Sequence, residues 1–261
     1  ANGGAMASLN STPTIRQSIF ATNEAVGTGA DDGYGGGVYI TGHTGAAKAF
    51  ENTTFFLNKA KIGGAIALTT TDQVRIVNTK LMENNASKSG GAIAGVNSRD
   101  VELVNVEIAR NQAAENGGAL YSDNLAAALY NLTVTANTAG SANALYALNS
   151  TVLQVLNTII RDGSDGIYRD AATGAHILFY TSNIEGSGGT DSWNDAIGSS
   201  EGTNIDADPL FSDDASGDYT LAAGSPSINK GYGLYYTANA TGPDVDLLGN
   251  PRFADEVIDM G

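Results

Sequence analysis

Cysteine is absent from the 261 residues, so no disulfide bond can stabilise the fold. That absence fits a reducing compartment as well as a surface protein held by repeat packing, so it does not locate the protein. Long apolar runs are also missing. No stretch approaches the roughly 20 apolar residues of a membrane-spanning helix, and the chain does not start with a signal-peptide pattern. We expect any export signal or anchor to lie outside these residues.

Basic residues are scarce, with 13 lysines and arginines against 28 acidic residues and a formal net charge of −15. This charge repels phosphate backbones and anionic lipids, so we expect neither a nucleic acid nor a membrane surface as a partner. Divalent cations are the favoured companions. Glycine, by contrast, is abundant at 33 residues, and only 16% of residues are charged, which is not the composition of a helix-rich protein. It predicts a turn-dense, all-β chain.

An internal repeat dominates the sequence. Gly-Gly-Ala-Ile at 63–66 and 90–93 is followed by Gly-Gly-Ala-Leu at 117–120, each 27 residues after the last, and degenerate copies lie at 35–38, 143–145 and 165–167. Asparagines recur with a spacing of 26 or 27 residues, at Asn52, Asn78, Asn105, Asn131, Asn157 and Asn183. Such a column predicts a ladder of amide hydrogen bonds between successive coils, which we place at an inward bend.

A third landmark, apolar-x-x-Asn, ends each coil and suits a turn, and between landmarks the period is two, as in Val74, Arg75 and Ile76. Coils of about 26 residues cannot bury an apolar face alone, but stacked coils share one core. We therefore predict a single-domain, right-handed parallel β-helix of roughly seven coils over residues 1–190. Residues 191–261 are predicted to form degenerate coils and an irregular C-terminal cap of the same domain.

These motifs resemble a known family. The Gly-Gly-Ala-Ile and Phe-x-x-Asn pairs resemble repeats of polymorphic outer-membrane protein passengers and other bacterial surface β-helix proteins. Asn-Ile-Asp-Ala-Asp-Pro-Leu-Phe at 204–211, Gly-Asp-Tyr-Thr-Leu at 217–221 and Asp-Leu-Leu-Gly-Asn-Pro-Arg at 246–252 are similar to the closing module of choice-of-anchor surface proteins. The resemblance implies a secreted or surface-displayed bacterial protein, with adhesion as its usual role. It brings no catalytic residues.

One column follows the Gly-Gly strands on the outward side, and it ends in the consecutive tyrosines Tyr121, Tyr146 and Tyr168. A tyrosine stripe can bind sugar rings or a partner protein, and we name these residues as candidate ligand contacts. Alternatively, they are strand residues that stack on one another. A neighbouring apolar column, Val77, Val104, Tyr130 and Leu156, faces either outward or into the bend.

Two acidic segments are further candidates. The insertion at 24–35 contains Asp31 and Asp32 and is either a ligand-binding loop or a tolerated surface loop. The tail contains Asp206, Asp208, Asp213, Asp214 and Asp218, which would suit Ca²⁺ if they converge. Otherwise they accept hydrogen bonds from backbone amides in capping turns. No other cofactor is expected.

Enzymatic signals are weak. The pairs at 31–32, 42–43 and 75–76 superficially repeat the Asp-Asp, Gly-His and Arg-Ile order of polygalacturonase-like enzymes. Asp32 and His43, however, are less than half a coil apart and cannot occupy equivalent places on successive coils. Bases for a lyase are scattered, so we assign no catalytic residue.

Three hypotheses follow for function. The first is a non-catalytic adhesion or structural module that binds a glycan or a surface protein, and the second is a polysaccharide-active enzyme of the β-helix type. The third is a self-stacking filament subunit, because residues 2–6 already match 116–120, so the sequence begins inside a coil. An open sheet edge there could pair with a strand of another chain or with further coils.

Overall fold

A computed structural model describes residues 1–27, 29, 32–42, 45, 47–234, 245–253 and 257–261. The predicted right-handed parallel β-helix is confirmed, with about six turns and a repeat of about 26 residues. The two short 3-10 helices, Ala171–Thr173 and Thr190–Ser192, lie in turns. No helix among these residues is long and apolar enough to cross a bilayer.

Seven parallel strands form the first face of the solenoid, and each begins just after a Gly-Gly position or its degenerate copy. They are β1 (Met6–Leu9), β4 (Val38–Thr41), β8 (Ile66–Thr69), the start of β11 (Ile93–Ala109), the start of β13 (Leu120–Thr135), β14 (Leu145–Leu148) and β17 (Ile167–Arg169). The glycines are required sterically, because a Cβ on Gly91 would overlap the carbonyl oxygen of Gly118 in the next coil.

The second and third faces complete each coil, and in the middle coils one continuous strand turns the corner between them. The second face holds β2 (Thr14–Arg16), β5 (Lys48–Glu51), β9 (Asp72–Met82), the middle of β11 and β13, β15 (Val152–Leu156), β18 (His176–Tyr180) and β20 (Ser199–Ser200). The third face holds β3 (Ile19–Ala21), β6 (Thr54–Phe56), the ends of β9, β11 and β13, β16 (Ile159–Arg161) and β19 (Asn183–Ile184).

Two smaller sheets lie beside the three faces. A parallel sheet of β7 (Lys59–Ile62), β10 (Asn85–Ser89) and β12 (Gln112–Ala113) closes the middle coils. Downstream, β21 (Phe211–Asp213) and β22 (Asp218–Leu221) form an antiparallel hairpin.

The core fills the inside of the solenoid as the period of two predicts. Val74 and Ile76 are fully buried, whereas the intervening Arg75 points outward and pairs with Glu102 of the next coil at 2.6 Å. At the C-terminal end Trp193 packs on Phe179, with ring centroids 5.4 Å apart, and covers the last coil. The core residues of the first coil are only partly buried.

The ladder inside the solenoid is built from the apolar-x-x-Asn column. Each Nδ2 group donates to a side-chain oxygen of the next rung at 2.8–3.0 Å, an amide Oδ1 in the asparagine rungs and the carboxyl Oδ2 in the last one. The rungs are Asn23, Asn58, Asn84, Asn111, Asn137 and finally Asp162. Most rungs also donate through Nδ2 to a carbonyl of the preceding coil, as Asn84 does to Phe55 at 3.1 Å. Buried amides therefore bind the coils together where the chain turns between the third face and the next coil.

The asparagine column that we predicted at an inward bend lies instead on the outer side of the corner between the second and third faces. Five of its members, Asn52, Asn78, Asn105, Asn131 and Asn157, have φ between 48° and 56°, a conformation that asparagine tolerates better than most residues. Asn52 is exposed, and its Oδ1 accepts from Asn78 at 3.3 Å. Asn183 bonds Ser227 and Ala207 instead of another rung.

The C-terminal segment, predicted as a cap, forms one degenerate coil and then runs back along this corner. Its backbone carbonyls accept hydrogen bonds from Asn105, at Val245, and from Asn131, at Asp259. Ile258 of the segment is fully buried against the column Val77, Val104, Tyr130 and Leu156, which therefore faces outward. The rungs of the corner column nearer the C-terminal end of the solenoid are buried because this segment covers them.

The last interior rung is a carboxyl group instead of an amide. Asp162 accepts from the backbone N of Asn137 at 2.8 Å and from its Nδ2 at 3.0 Å. Burial raises the pKa of Asp162 to about 7, and the negative charge of Glu185 adds to the rise, while the two bonds from Asn137 oppose it. The folded protein therefore binds this proton more tightly than the unfolded chain.

We expect Asn84→Ala to lower the free energy of unfolding by about 3–5 kcal/mol, because Asn58 loses two buried hydrogen bonds and Phe55 loses one. Urea unfolding provides the measurement. Asn52→Gly is the matched control, since Asn52 is exposed and glycine accepts its positive φ. If Asn52→Gly lowered the free energy of unfolding as much as Asn84→Ala does, the larger contribution of the inner ladder would be contradicted.

We expect stability to fall as the pH rises from about 4 to about 7, because the unfolded Asp162 ionises in this window while the folded group keeps its proton. Asp162→Asn removes this proton and should raise stability above pH 7 by up to roughly 4 kcal/mol, with little effect near pH 4. Melting temperatures at several pH values test this. Exposed Asp165→Asn is the control, and the prediction is wrong if both variants change the pH profile equally.

Candidate ligand-binding site

Three tyrosines occupy one outward column of the first face, as the sequence predicts. Tyr121, Tyr146 and Tyr168 are register partners on β13, β14 and β17. Their rings stack, with centroids 5.8 Å and then 4.7 Å apart and interplanar angles of 17° and 21°. The tyrosines therefore stack on one another, as the alternative interpretation predicted. The last ring of the series, Tyr168, has a stacked neighbour on one side.

Exposure changes along this column. Burial raises the pKa of Tyr121 to about 12, with a further contribution from the negative charge of Asp123. Tyr168, at the other end, is 42% exposed. Earlier in the column, Ala67 and Ala94 are buried although they occupy outward positions. Tyr168 is therefore the most exposed aromatic ring of this column.

Tyr168 borders a groove of about 570 Å³ at the C-terminal end of the first face. The groove has both polar and apolar walls. Exposed Ser141, Ser164 and Asp165 line it, and Arg169 closes one side by donating to the backbone carbonyls of Asp195 and Ala196. An aromatic platform beside hydroxyl and carboxylate groups is suited to a ligand that has an apolar face and polar edges.

A second depression, of about 450 Å³, lies on the outside of the second face. Its floor is formed by the small side chains of Ala126 and Ala128, while neighbouring coils present longer ones. Arg75, Asp100 and Glu102 lie on one wall, and Arg75 Nε donates to Glu102 Oε2 at 2.6 Å. This alanine trough brings carboxylates and an arginine to one face, which sequence reasoning missed because the lining residues come from successive coils.

The acidic insertion is a local turn where it can be described. Asp32 accepts from the backbone N of Gly29 at 2.8 Å, and Lys61 donates to the carbonyl of Gly29 at 2.6 Å. Asp31 and His43 lie outside the described residues. The interpretation of this loop as a ligand site stays a prediction.

The acidic tail is spread out. Asp208 accepts from the backbone of Leu210, Asp213 from that of Ser216, and Asp218 from that of Thr220, so each bond is local. Asp206 instead pairs with Arg161 at 3.2 Å, and the backbone carbonyl of Asp214 accepts from Arg110. Within the described part of the chain, no three acidic or histidine side chains gather as a metal site would need. Calcium at these residues stays a prediction.

Comparison with known proteins gives no relative: no protein-family profile, curated protein or solved structure matches this chain. The fold class therefore rests on the stacked coils themselves. The site must be judged from its own geometry.

Proposed function

We propose that this protein is a bacterial extracellular or cell-surface module that binds glycans without cleaving them, through the groove at Tyr168. The observation that carries the proposal is the stacked column that ends in this half-exposed ring beside polar side chains. The extracellular location is supported by the sequence resemblance to polymorphic outer-membrane passengers and choice-of-anchor surface proteins.

The physical argument is one of preorganisation. A sugar ring has an apolar face of C–H groups and a rim of hydroxyls, so it packs on an aromatic face while its edge makes hydrogen bonds. Tyr146 supports Tyr168 from behind, which limits the side-chain freedom that binding would otherwise remove. The net charge of −15 favours neutral or cationic chains over strongly acidic ones.

We expect Tyr168→Ala to weaken glycan binding at least tenfold, which corresponds to about 1.4 kcal/mol. The protein is incubated with neutral and acidic polysaccharides, with and without calcium, and retention and new reducing or unsaturated ends are measured together. Tyr232→Ala is the matched control, because Tyr232 is 44% exposed and lies outside the column. Equal retention of the Tyr168 variant and the unchanged protein would contradict the proposal.

The alanine trough supports a second candidate, a polysaccharide-active enzyme. Asp100 and Glu102 could act as acid and base towards a glycosidic bond, and Arg75 could bind an acidic substrate. New chain ends that disappear in Glu102→Gln but persist in Tyr168→Ala would establish this function and overturn the non-catalytic proposal. Retention without new ends would count against it.

A further inference from the structure

A third cavity lies away from both surfaces, between the third face and the returning C-terminal segment. It is a cleft of about 370 Å³. Lys80, Glu107, Thr133 and Ile159 form its floor on adjacent coils, as register partners on one outward column. β22 forms one wall, and residues 246–252 and 259–261 form the other.

Both walls are anchored to the solenoid. Arg110 Nε donates to the hydroxyl of Tyr219 at 3.0 Å, and the Arg110 Nη2 atom donates to the carbonyl of Ala215 at 2.7 Å. On the opposite wall, Arg252 donates to the side chain of Asn105 and to the carbonyl of Gly261. The cleft is therefore a built feature of the fold.

Glu107 is the unusual group in this cleft. Its side chain is only 9% exposed, and its Oε2 atom accepts from Lys80 Nζ at 2.9 Å. Its Oε1 atom has no hydrogen-bond partner among the described residues. A buried carboxylate oxygen without a donor is costly, and native structures usually satisfy such an atom with water, an ion or a ligand.

The other polar groups of the cleft indicate what could supply that donor. Lys80 and Arg252 share the cleft with four carboxylates, Glu107, Asp218, Asp246 and Asp259, so groups of both signs face a ligand. Asp218, Asp246 and Asp259 already accept hydrogen bonds from backbone N–H groups, which leaves Glu107, among the described residues of the cleft, as the carboxylate with an unused buried oxygen. A ligand hydroxyl group can both donate and accept a hydrogen bond, so it can pair with the donors and with the acceptors that line the cleft. The side chains of Leu221, Ile228 and Leu248, which are partly or largely exposed, add apolar surface, and the volume is in the usual range of small-molecule pockets, roughly 300–1,000 Å³.

We infer that this cleft binds a small neutral polyol, a single sugar residue, with a ligand hydroxyl donating to Glu107. This site is separate from the groove at Tyr168 and does not depend on glycan binding there. It would recognise a free monosaccharide or a chain end, because the C-terminal segment covers one side of the cleft.

The test uses the full chain with D-glucose, D-galactose, D-mannose and N-acetyl-D-glucosamine, and with D-glucosamine and D-glucuronate as charged analogues. Binding is measured by calorimetry and by saturation-transfer NMR. We expect at least one neutral sugar to bind and Glu107→Gln to weaken it tenfold or more. Glu115→Gln is the matched control, since Glu115 also pairs with a lysine, Lys88 at 3.9 Å, but lies outside the cleft.

Leu248→Trp provides a second variant if Glu107→Gln does not fold. Leu248 is 65% exposed at the cleft, so a larger side chain should obstruct the cleft without disturbing the core. Binding that survives Leu248→Trp, a preference for D-glucosamine or D-glucuronate, or no binding of any neutral sugar would overturn the inference. Loss in Tyr168→Ala with retention in Glu107→Gln would also overturn it, because the sugar would then occupy the first-face groove.

Discussion

Hydrogen bonding between successive coils is the constraint on which the structure depends. A solenoid of this kind turns its backbone inside a low-dielectric core, where each unpaired amide or carbonyl is costly. The interior column from Asn23 to Asp162 solves this problem at the turn, because each side chain accepts both the backbone N–H and the side-chain N–H of the preceding rung. Asn84 does so through one Oδ1 atom, and Asp162 through its two carboxyl oxygens. The register that it helps to fix determines which side chains align on every face.

That register produces the surface features. Tyr121, Tyr146 and Tyr168 stack because their strands pair residue for residue, so a shift of one residue would turn all three rings into the core. The alanine trough follows from the same alignment, since small residues on one coil lie between longer ones on its neighbours. Small side chains on a single coil therefore leave a depression on the surface of that face.

The returning C-terminal segment adds a second kind of surface. It covers an apolar column with Ile258, and the corner asparagines bond its backbone. This cover leaves a cleft over Lys80 and Glu107 instead of a closed interface. The candidate sites therefore have two origins: two arise from coil stacking alone, and the third requires residues more than 100 positions apart.

The sequence by itself determined the fold class, the coil length and the tyrosine column, because a repeat of about 26 residues places equivalent positions above one another. It could not tell which of two asparagine columns turns inward, since both have the same spacing. That choice depends on backbone conformation: the rungs from Asn52 to Asn157 adopt positive φ at an outer corner, while the apolar-x-x-Asn rungs enter the core. Only tertiary structure decided where the C-terminal segment lies, and with it the cleft at Glu107, because a segment without the repeat carries no register that would predict its contacts.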